Sequence, residues 1–243
     1  MKRLFFIVLW VLGLILLIYL LKVPVPTLLQ PASVTSPLAG QVIVIDPGHG
    51  GVDGGADYGD LQEKTITLQT SFYLRDYLQE AGALVYLTRE EDVDLAPEGM
   101  QGYSKRKAHD IRERVSFIQD HEADLFVSIH LNSVLNENWS GAQTFYYPED
   151  DENKVLAQSI QGRLQESVGT NRQALGINQI YILKHANTTA ALVEAGFLSH
   201  PEERALLVTE EYQRRLASAM YEGIVEYVVG LQNDENQSSQ ITE

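Results

Sequence analysis

The 243-residue chain has no cysteine. That excludes a disulfide framework and thiolate metal sites, and it is compatible with an oxidising exterior. Basic residues are scarce, 18 Lys and Arg against 33 Asp and Glu, for a net charge of −15. Lys2, Arg3 and Lys22 all lie in the first 22 residues, where no acidic group offsets them, so the remainder is more negative still. Such a field repels phosphate backbones. The nearest basic cluster, "SKRK" (104–107), reads as the solvated start of a helix, so nucleic acid is not an expected partner. No internal repeat is evident. A dinucleotide fingerprint is missing too: "GHGGVDGG" (48–55) has Asp53 where the third glycine would fall, and a polar loop follows it instead of a helix.

What is present begins with residues 4–21, eighteen consecutive apolar residues behind Lys2 and Arg3. That length crosses a hydrocarbon core as a helix, and the flanking charges keep the N-terminus in the cytoplasm with the body outside. The exit "LKVPVPTLL" offers no small-x-small cleavage site, which favours a retained anchor over a cleaved signal. Residues 23–40 carry Pro24, Pro26, Pro31 and Pro37 and read as a semi-extended linker. Residues 231–243 are polar and read as a disordered tail. The expected division is therefore 1–22 cytoplasmic stub and anchor, 23–40 linker, 41–230 one compact domain, and 231–243 tail.

Within 41–230 strand and helix patterns alternate. Strands are expected at 41–46, 83–88, 124–130, 142–148, 180–183 and 190–195. Helices are expected at 61–82 and 105–121, with apolar residues at core spacing, at 152–169, ending at glycine, and at about 210–229, opened by Thr209 and Glu210. Helix-length crossovers between strands imply an α/β fold: a three-layer sandwich with a largely parallel central sheet. Ligands in such folds bind at the carboxyl ends of strands.

Three segments place chemistry there. "VIVID" stops at Pro47-Gly48-His49-Gly50, "DLFVSIH" stops at His130, and Glu63 lies between them in the first turn of a helix. Each has a plainer reading: a hydrogen-bonded loop histidine, a rim histidine, and for Glu63 a capping box opened by Asp60. Together, two imidazoles and one carboxylate make the donor set of an open catalytic zinc site, one ion per chain, with a fourth position for water. Asp46 is placed to orient His49 as a hydrogen-bond acceptor behind the metal. Glu194, in the apolar strand "AALVEA", is either half of an ion pair or a general base whose pKa burial has raised.

The motifs "VIVIDPGHGGVDGG", Glu63, "ADLFVSIHLN" and "LVEAGFLSHPEE" occur in this order across residues 41–230. The chain resembles the zinc-dependent N-acetylmuramoyl-L-alanine amidases of bacterial cell walls. Details around "WSGAQTFYYP" and "YILKHANTTAALVEAGFLS" resemble most the germination-specific subgroup of spore formers. The resemblance implies an α/β sandwich, zinc held by His49, Glu63 and His130, and Glu194 as the catalytic residue. It also implies hydrolysis of the amide between the lactyl group of N-acetylmuramic acid and L-alanine, in forming muramic-δ-lactam of the spore cortex. Asn132 and Arg114 are further candidates for contact with substrate, although mid-helix arginines are usually solvated. The expected partners are peptidoglycan, the membrane and an activator protein. The expected location is extracytoplasmic, in a spore former the intermembrane space of the forespore. The alternatives are a vegetative wall amidase or another zinc-dependent wall peptidase of carboxypeptidase type. Cell-division members of the family can cover their zinc with a helical insertion after the second histidine motif. Only residues 131–141 separate His130 from the next expected strand, so the site is expected to be open.

Overall fold

The structure, a computed structural model, describes residues 2–22 and 36–241. It divides into two units, Met1–Thr35 and Ser36–Glu243. In the first, a single helix, α1 (Lys2–Lys22), is long and apolar enough to be a candidate membrane span or signal. Most of the expected linker, residues 23–35, lies outside the described residues. The expected linker boundary at 40 shifts, because Leu38 is fully buried and its N–H donates to Ala81 O at 3.1 Å. Residues 36–40 therefore belong to the folded body.

That body contains β1 (Val42–Pro47), β2 (Asp57–Tyr58), β3 (Leu61–Gln62), α2 (Glu63–Glu80), β4 (Leu84–Leu87), α3 (Tyr103–Asp120) and β5 (Leu125–Asn132). It continues with β6 (Gln143–Tyr146), α4 (Asp151–Val168), β7 (Leu175–Gly176), α5 (Tyr181–His185), β8 (Thr189–Phe197), α6 (Pro201–Leu207) and α7 (Glu210–Ile241). Six strands form one mixed sheet in the order β4-β1-β5-β8-β6-β7; β2 and β3 form a separate hairpin. All neighbours in the large sheet run parallel except β6 and β8.

Side-chain alternation sorts the strands between two cores. Ile43, Ile45, Val127, Ile129, Ala191 and Val193 pack with α2, α4 and α7. Val44, Phe126, Ala190 and Leu192 pack with α3 and α5 on the other face. The helices begin and end where local chemistry dictates. Asp150 caps α4 by accepting from Glu152 N at 3.0 Å, and Gly169 ends it in the left-handed conformation. From β1 the chain crosses through α2 to β4 on one side, then through α3 to β5 on the other. The order reverses between β1 and β5, and their carboxyl ends open the crevice expected at such a switch point.

Two expectations are corrected, and one helix is added. Residues 180–183 do not form a strand: Ile180 precedes the short helix α5, which buries Ile182 and Leu183 against the α3 face. Both edges of β8 are already taken by β5 and β6, so this apolar run covers the sheet instead of joining it. The last helix runs on to Ile241, because nothing in "LQNDENQSSQ" (231–240) is a proline or glycine that would break it. Residues 242–243 lie outside the described residues. The helix α6 was not foreseen, although Pro201 at its start and His200 as its cap, accepting from Glu203 N at 3.3 Å, are its signal.

The α4 and α7 helices meet at Gly223, where an added Cβ would stand 2.5 Å from Ile160 Cα and 2.7 Å from Ile160 N, both backbone atoms. Gly223→Ala is expected to cost about 1–3 kcal/mol by overpacking. Gly230→Ala, with nothing within 4 Å of the new carbon, should be neutral or stabilise by up to about 1 kcal/mol through helix propensity. Thermal melts of the two variants check this; equal effects would contradict the close crossing.

Candidate active site

At the end of β1 the chain turns sharply, and His49 takes φ +62°, a region few non-glycine residues occupy. The turn is held through its carbonyls by two arginines buried beneath it. Arg89 Nε donates to Pro47 O at 2.9 Å, and its Nη2 donates to Gly48 O at 3.0 Å. Arg114 Nη1 donates to Pro47 O at 2.9 Å and Nη2 to His49 O at 2.7 Å. Arg114 is itself anchored to Asp46 Oδ1 at 2.6 Å and to Asp110 Oδ2 at 2.9 Å.

Asp46 therefore has a different role from the one expected of it. Its carboxylate also accepts from Thr88 Oγ1 at 2.6 Å and Ser128 Oγ at 2.7 Å, so its oxygens are committed to Arg114 and these hydroxyls. Burial alone would raise its pKa; the Arg114 charge and the two hydroxyls outweigh that and hold it at about 2. The carboxylate beside His49 is that of Asp53, whose Oδ2 lies 3.0 Å from His49 Nδ1. Asp53 also accepts from Tyr103 OH at 2.9 Å and pairs with Lys107 Nζ at 2.9 Å. The left-handed turn points the ring forward to the next acidic residue, which spacing alone does not reveal.

The β2–β3 hairpin delivers Glu63 as the first residue of α2. Asp60 does not cap this helix: Gln62 sits at the cap position and makes no side-chain hydrogen bond. Glu63 instead turns inward. Its Oε2 accepts from Ala56 N at 2.7 Å and its Oε1 from Leu131 N at 2.8 Å. The same Oε1 lies 3.1 Å from His49 Nε2 and 3.0 Å from His130 Nδ1. One donor atom from each of the three residues falls within 4.8 Å of the others.

This cluster fits a metal ion. Burial would lower the pKa of His49, yet Asp53 and Glu63 overcome it and raise it to about 9. Burial would raise that of Glu63, yet the hydrogen bonds of His130 and His49 drive it well below the usual carboxylate range. Surroundings that favour a proton on the imidazole so strongly also favour a cation among these donors. The glycines leave the required space. A Cβ on Gly48 would stand 2.5 Å from His130 Cε1, and one on Gly55 would stand 2.5 Å from Glu63 Oε2 and 2.7 Å from His49 Cδ2. That is why this histidine sits among glycines.

Glu194 stands beside His130 in the β5–β8 register and faces the same crevice. Its Oε2 is buried without a hydrogen-bond partner, and no ion pair to it is found among the described residues. Desolvation raises its pKa to about 7, Glu63 adding to the rise while His130 and His49 oppose it. Lys107, Ile111, Tyr181 and Leu192 complete the walls. Arg114 borders the floor, but with most of its donors committed to protein oxygens it is a clamp more than a substrate contact. Asn132 ends β5 and accepts from Leu198 N through its carbonyl at 2.9 Å; it is not brought to the crevice lining. Asp53 and Arg89 are the residues that sequence reasoning missed.

An α/β sandwich that gathers two imidazoles, a carboxylate and a desolvated second carboxylate at its switch point has the layout of a hydrolase built on a metal-binding cluster. Comparison with known proteins narrows this. Residues 43–226 match the family model described as N-acetylmuramoyl-L-alanine amidase, and the chain belongs to that family. It is 48% identical over 219 residues to the germination-specific N-acetylmuramoyl-L-alanine amidase of Bacillus subtilis (strain 168), covering 90% of this chain and 92% of that one. Among solved structures it is similar to the CwlD amidase of Clostridioides difficile, in complex with the GerS lipoprotein. That match has a TM-score of 0.76 and 37% identity, and covers 78% of this chain and 98% of the other. The catalytic domain of CwlV from Bacillus (Paenibacillus) polymyxa var. colistinus matches with a TM-score of 0.68 and 28% identity, over 77% and 98%.

The clamp beneath the turn yields a prediction. Asp46→Asn leaves Arg114 buried with Asp110 as its remaining charged partner and should cost about 3 kcal/mol, the low end for breaking a buried ion pair. Because folding depresses the Asp46 pKa, its stabilisation is complete above the ordinary value of 3.8 and is lost as pH falls through about 2. Acid titration of thermal stability should show this loss in the parent and a shallower acid slope in the variant.

Proposed function

We propose that His49, Glu63 and His130 hold one zinc ion and that Glu194 is the general base and acid in cleaving the amide between the lactyl group of N-acetylmuramic acid and L-alanine. The observation that carries this reading is the unpartnered carboxylate of Glu194 beside the three-donor cluster. Zinc, when bound there, supplies a Lewis acid that polarises the amide carbonyl and acidifies water. Glu194 accepts the proton from the attacking water, whose oxygen adds to the lactyl carbonyl carbon. The C–N bond then breaks as Glu194 returns that proton to the nitrogen, and the second water proton passes from the new carboxyl to the amine, so L-alanine leaves with an ammonium group and the muramic residue is left with a carboxylate. A carboxyl whose pKa lies near neutrality suits both transfers. Asp53 holds the His49 ring so that Nε2 faces the cluster, and the Arg89 and Arg114 clamps keep the turn in place.

The setting we propose is the spore cortex, with the domain outside the cytoplasmic membrane and tethered by α1. The support is the 48% identity to a germination-specific amidase and the apolar run of α1 behind Lys2 and Arg3. The complex of the C. difficile relative with a lipoprotein supports an activator partner for this chain too.

Glu194→Gln should keep its metal and fold while turnover on peptidoglycan falls on the order of 10²-fold or more. In the parent, the acid limb of kcat/KM should lie near or below pH 7, since a bound cation takes the place of the charge the two histidines give up on ligating it and favours the Glu194 carboxylate. Near-parental turnover by the variant would refute the assignment. The products themselves test the reaction: digestion should release peptides beginning with L-alanine and leave the sugar chain intact.

A chelator should abolish activity and zinc should restore it, with about one ion per chain by metal analysis. His49→Ala and His130→Ala should each lower occupancy sharply, and full occupancy in both would remove them from the metal site.

A further inference from the structure

Beyond Glu194 the sheet continues into β6, which borders β8. Gln143 faces Glu194 in the β6–β8 register. Its Oε1 is 3.5 Å from Arg172 Nη1, and its Nε2 donates to Gln173 O at 2.9 Å. The Arg172 guanidinium lies 5.0 Å from the Trp139 ring centre and 5.2 Å from that of Phe197. Phe197 is buried, whereas Trp139 is 51% exposed. Arg172 is fixed further by donating from Nε to Ser140 O at 3.0 Å. Next to it the backbone is pinned, Gly141 N donating to Glu203 Oε1 at 2.7 Å, in a spot where a Cβ would meet Thr170 Oγ1 at 2.6 Å.

The result is a pre-organised plate: an indole backed by a guanidinium, which is backed in turn by a core aromatic. The hydrophobic core does not use the open face of the indole. Beside it stand an amide and a guanidinium, both able to hydrogen-bond. A pyranose ring has this pairing of needs, since its axial C–H face packs on an aromatic ring and its hydroxyl and acetamido groups seek polar partners at the rim. The bond cleaved in the proposed reaction separates a sugar from a peptide, so the substrate must leave the Glu194 region in two directions. On the opposite flank stand Lys107, its half-exposed ammonium paired with Asp53, and Ile111, which suit a peptide bearing carboxylates better than a neutral sugar.

We propose that Trp139, backed by Arg172, is a glycan subsite that holds a sugar ring neighbouring the muramic residue under attack. This rests on the amidase reading above. It makes Trp139 a determinant of how the enzyme prefers polymeric glycan to short fragments.

The chain has two tryptophans, Trp10 and Trp139, so Trp10→Phe in the detergent-solubilised full chain leaves Trp139 as the sole indole. Peptide-free oligosaccharides of alternating N-acetylglucosamine and N-acetylmuramic acid should then change its fluorescence saturably. Trp139→Ala should shrink the KM advantage of glycan-bearing substrate over a muramoyl-peptide monosaccharide about five- to tenfold, the scale of a lost aromatic contact. Trp139→Phe, which keeps a ring, should restore most of it. The absence of a saturable response, an unchanged KM ratio in Trp139→Ala, or no recovery with Phe would each overturn the proposal. The oligosaccharide contains no scissile amide, so this binding is read independently of hydrolysis; failure of the Glu194 assignment would leave the fluorescence response in place.

Discussion

The guanidinium of Arg114 holds the site together from below. It reaches up from α3 and joins a carboxylate at the tip of β1 to the carbonyls of Pro47 and His49. A buried ion pair is a weak source of net stability, because desolvating both partners costs about what their attraction returns. Its effect here is geometric. The backbone at His49 is in a sparsely populated conformation, and such a conformation persists only where its surroundings over-determine it. Arg89 adds a second planar fork at the neighbouring carbonyls. Two rigid guanidiniums can fix consecutive carbonyls in a way that a flexible ammonium cannot.

Above that support, two glutamates lie in one crevice with opposite proton affinities. Glu63 is placed among N–H donors and imidazoles that favour its charge, whereas Glu194 projects from an apolar strand with a bare oxygen. The same residue type therefore serves as an anionic ligand candidate in one place and a proton carrier in the other, a division set by surroundings alone. The backbone makes this possible: Leu131 N and Ala56 N satisfy Glu63 before any side chain does.

Much of this was legible in the sequence. Apolar runs marked β1, β5 and β8, and each carries or leads into a residue of chemical interest: His49 just after β1, His130 near the end of β5, and Glu194 within β8. What was not legible depended on direction and burial. Asp46 and Asp53 are both close to His49 in sequence, and only the hand of the turn decides which one its ring meets. Arg114 has the helical surroundings of a solvated residue, and nothing local shows that Asp46 waits across the sheet. "IYIL" is too short for periodicity to separate strand from helix, and the outcome was set by the edges of β8 being occupied. The capping-box spacing at Asp60 misled because the hairpin β2–β3 consumed the residues that a cap would have used.

The reversed direction of β6 has a consequence for how such a fold can diversify. In a wholly parallel sheet, the segments at the carboxyl end are those leaving strands. Because β6 runs antiparallel to β8, the segment entering it, residues 133–142, also lies at that end. It connects neighbours-but-one without crossing a core. Doubling its length would cost only about 0.6 kcal/mol in closure entropy, and neither hydrophobic layer would need to repack. The fold thus offers a port at which insertions, deletions or single aromatic residues can remodel access to the chemistry while the sheet that carries it stays unchanged.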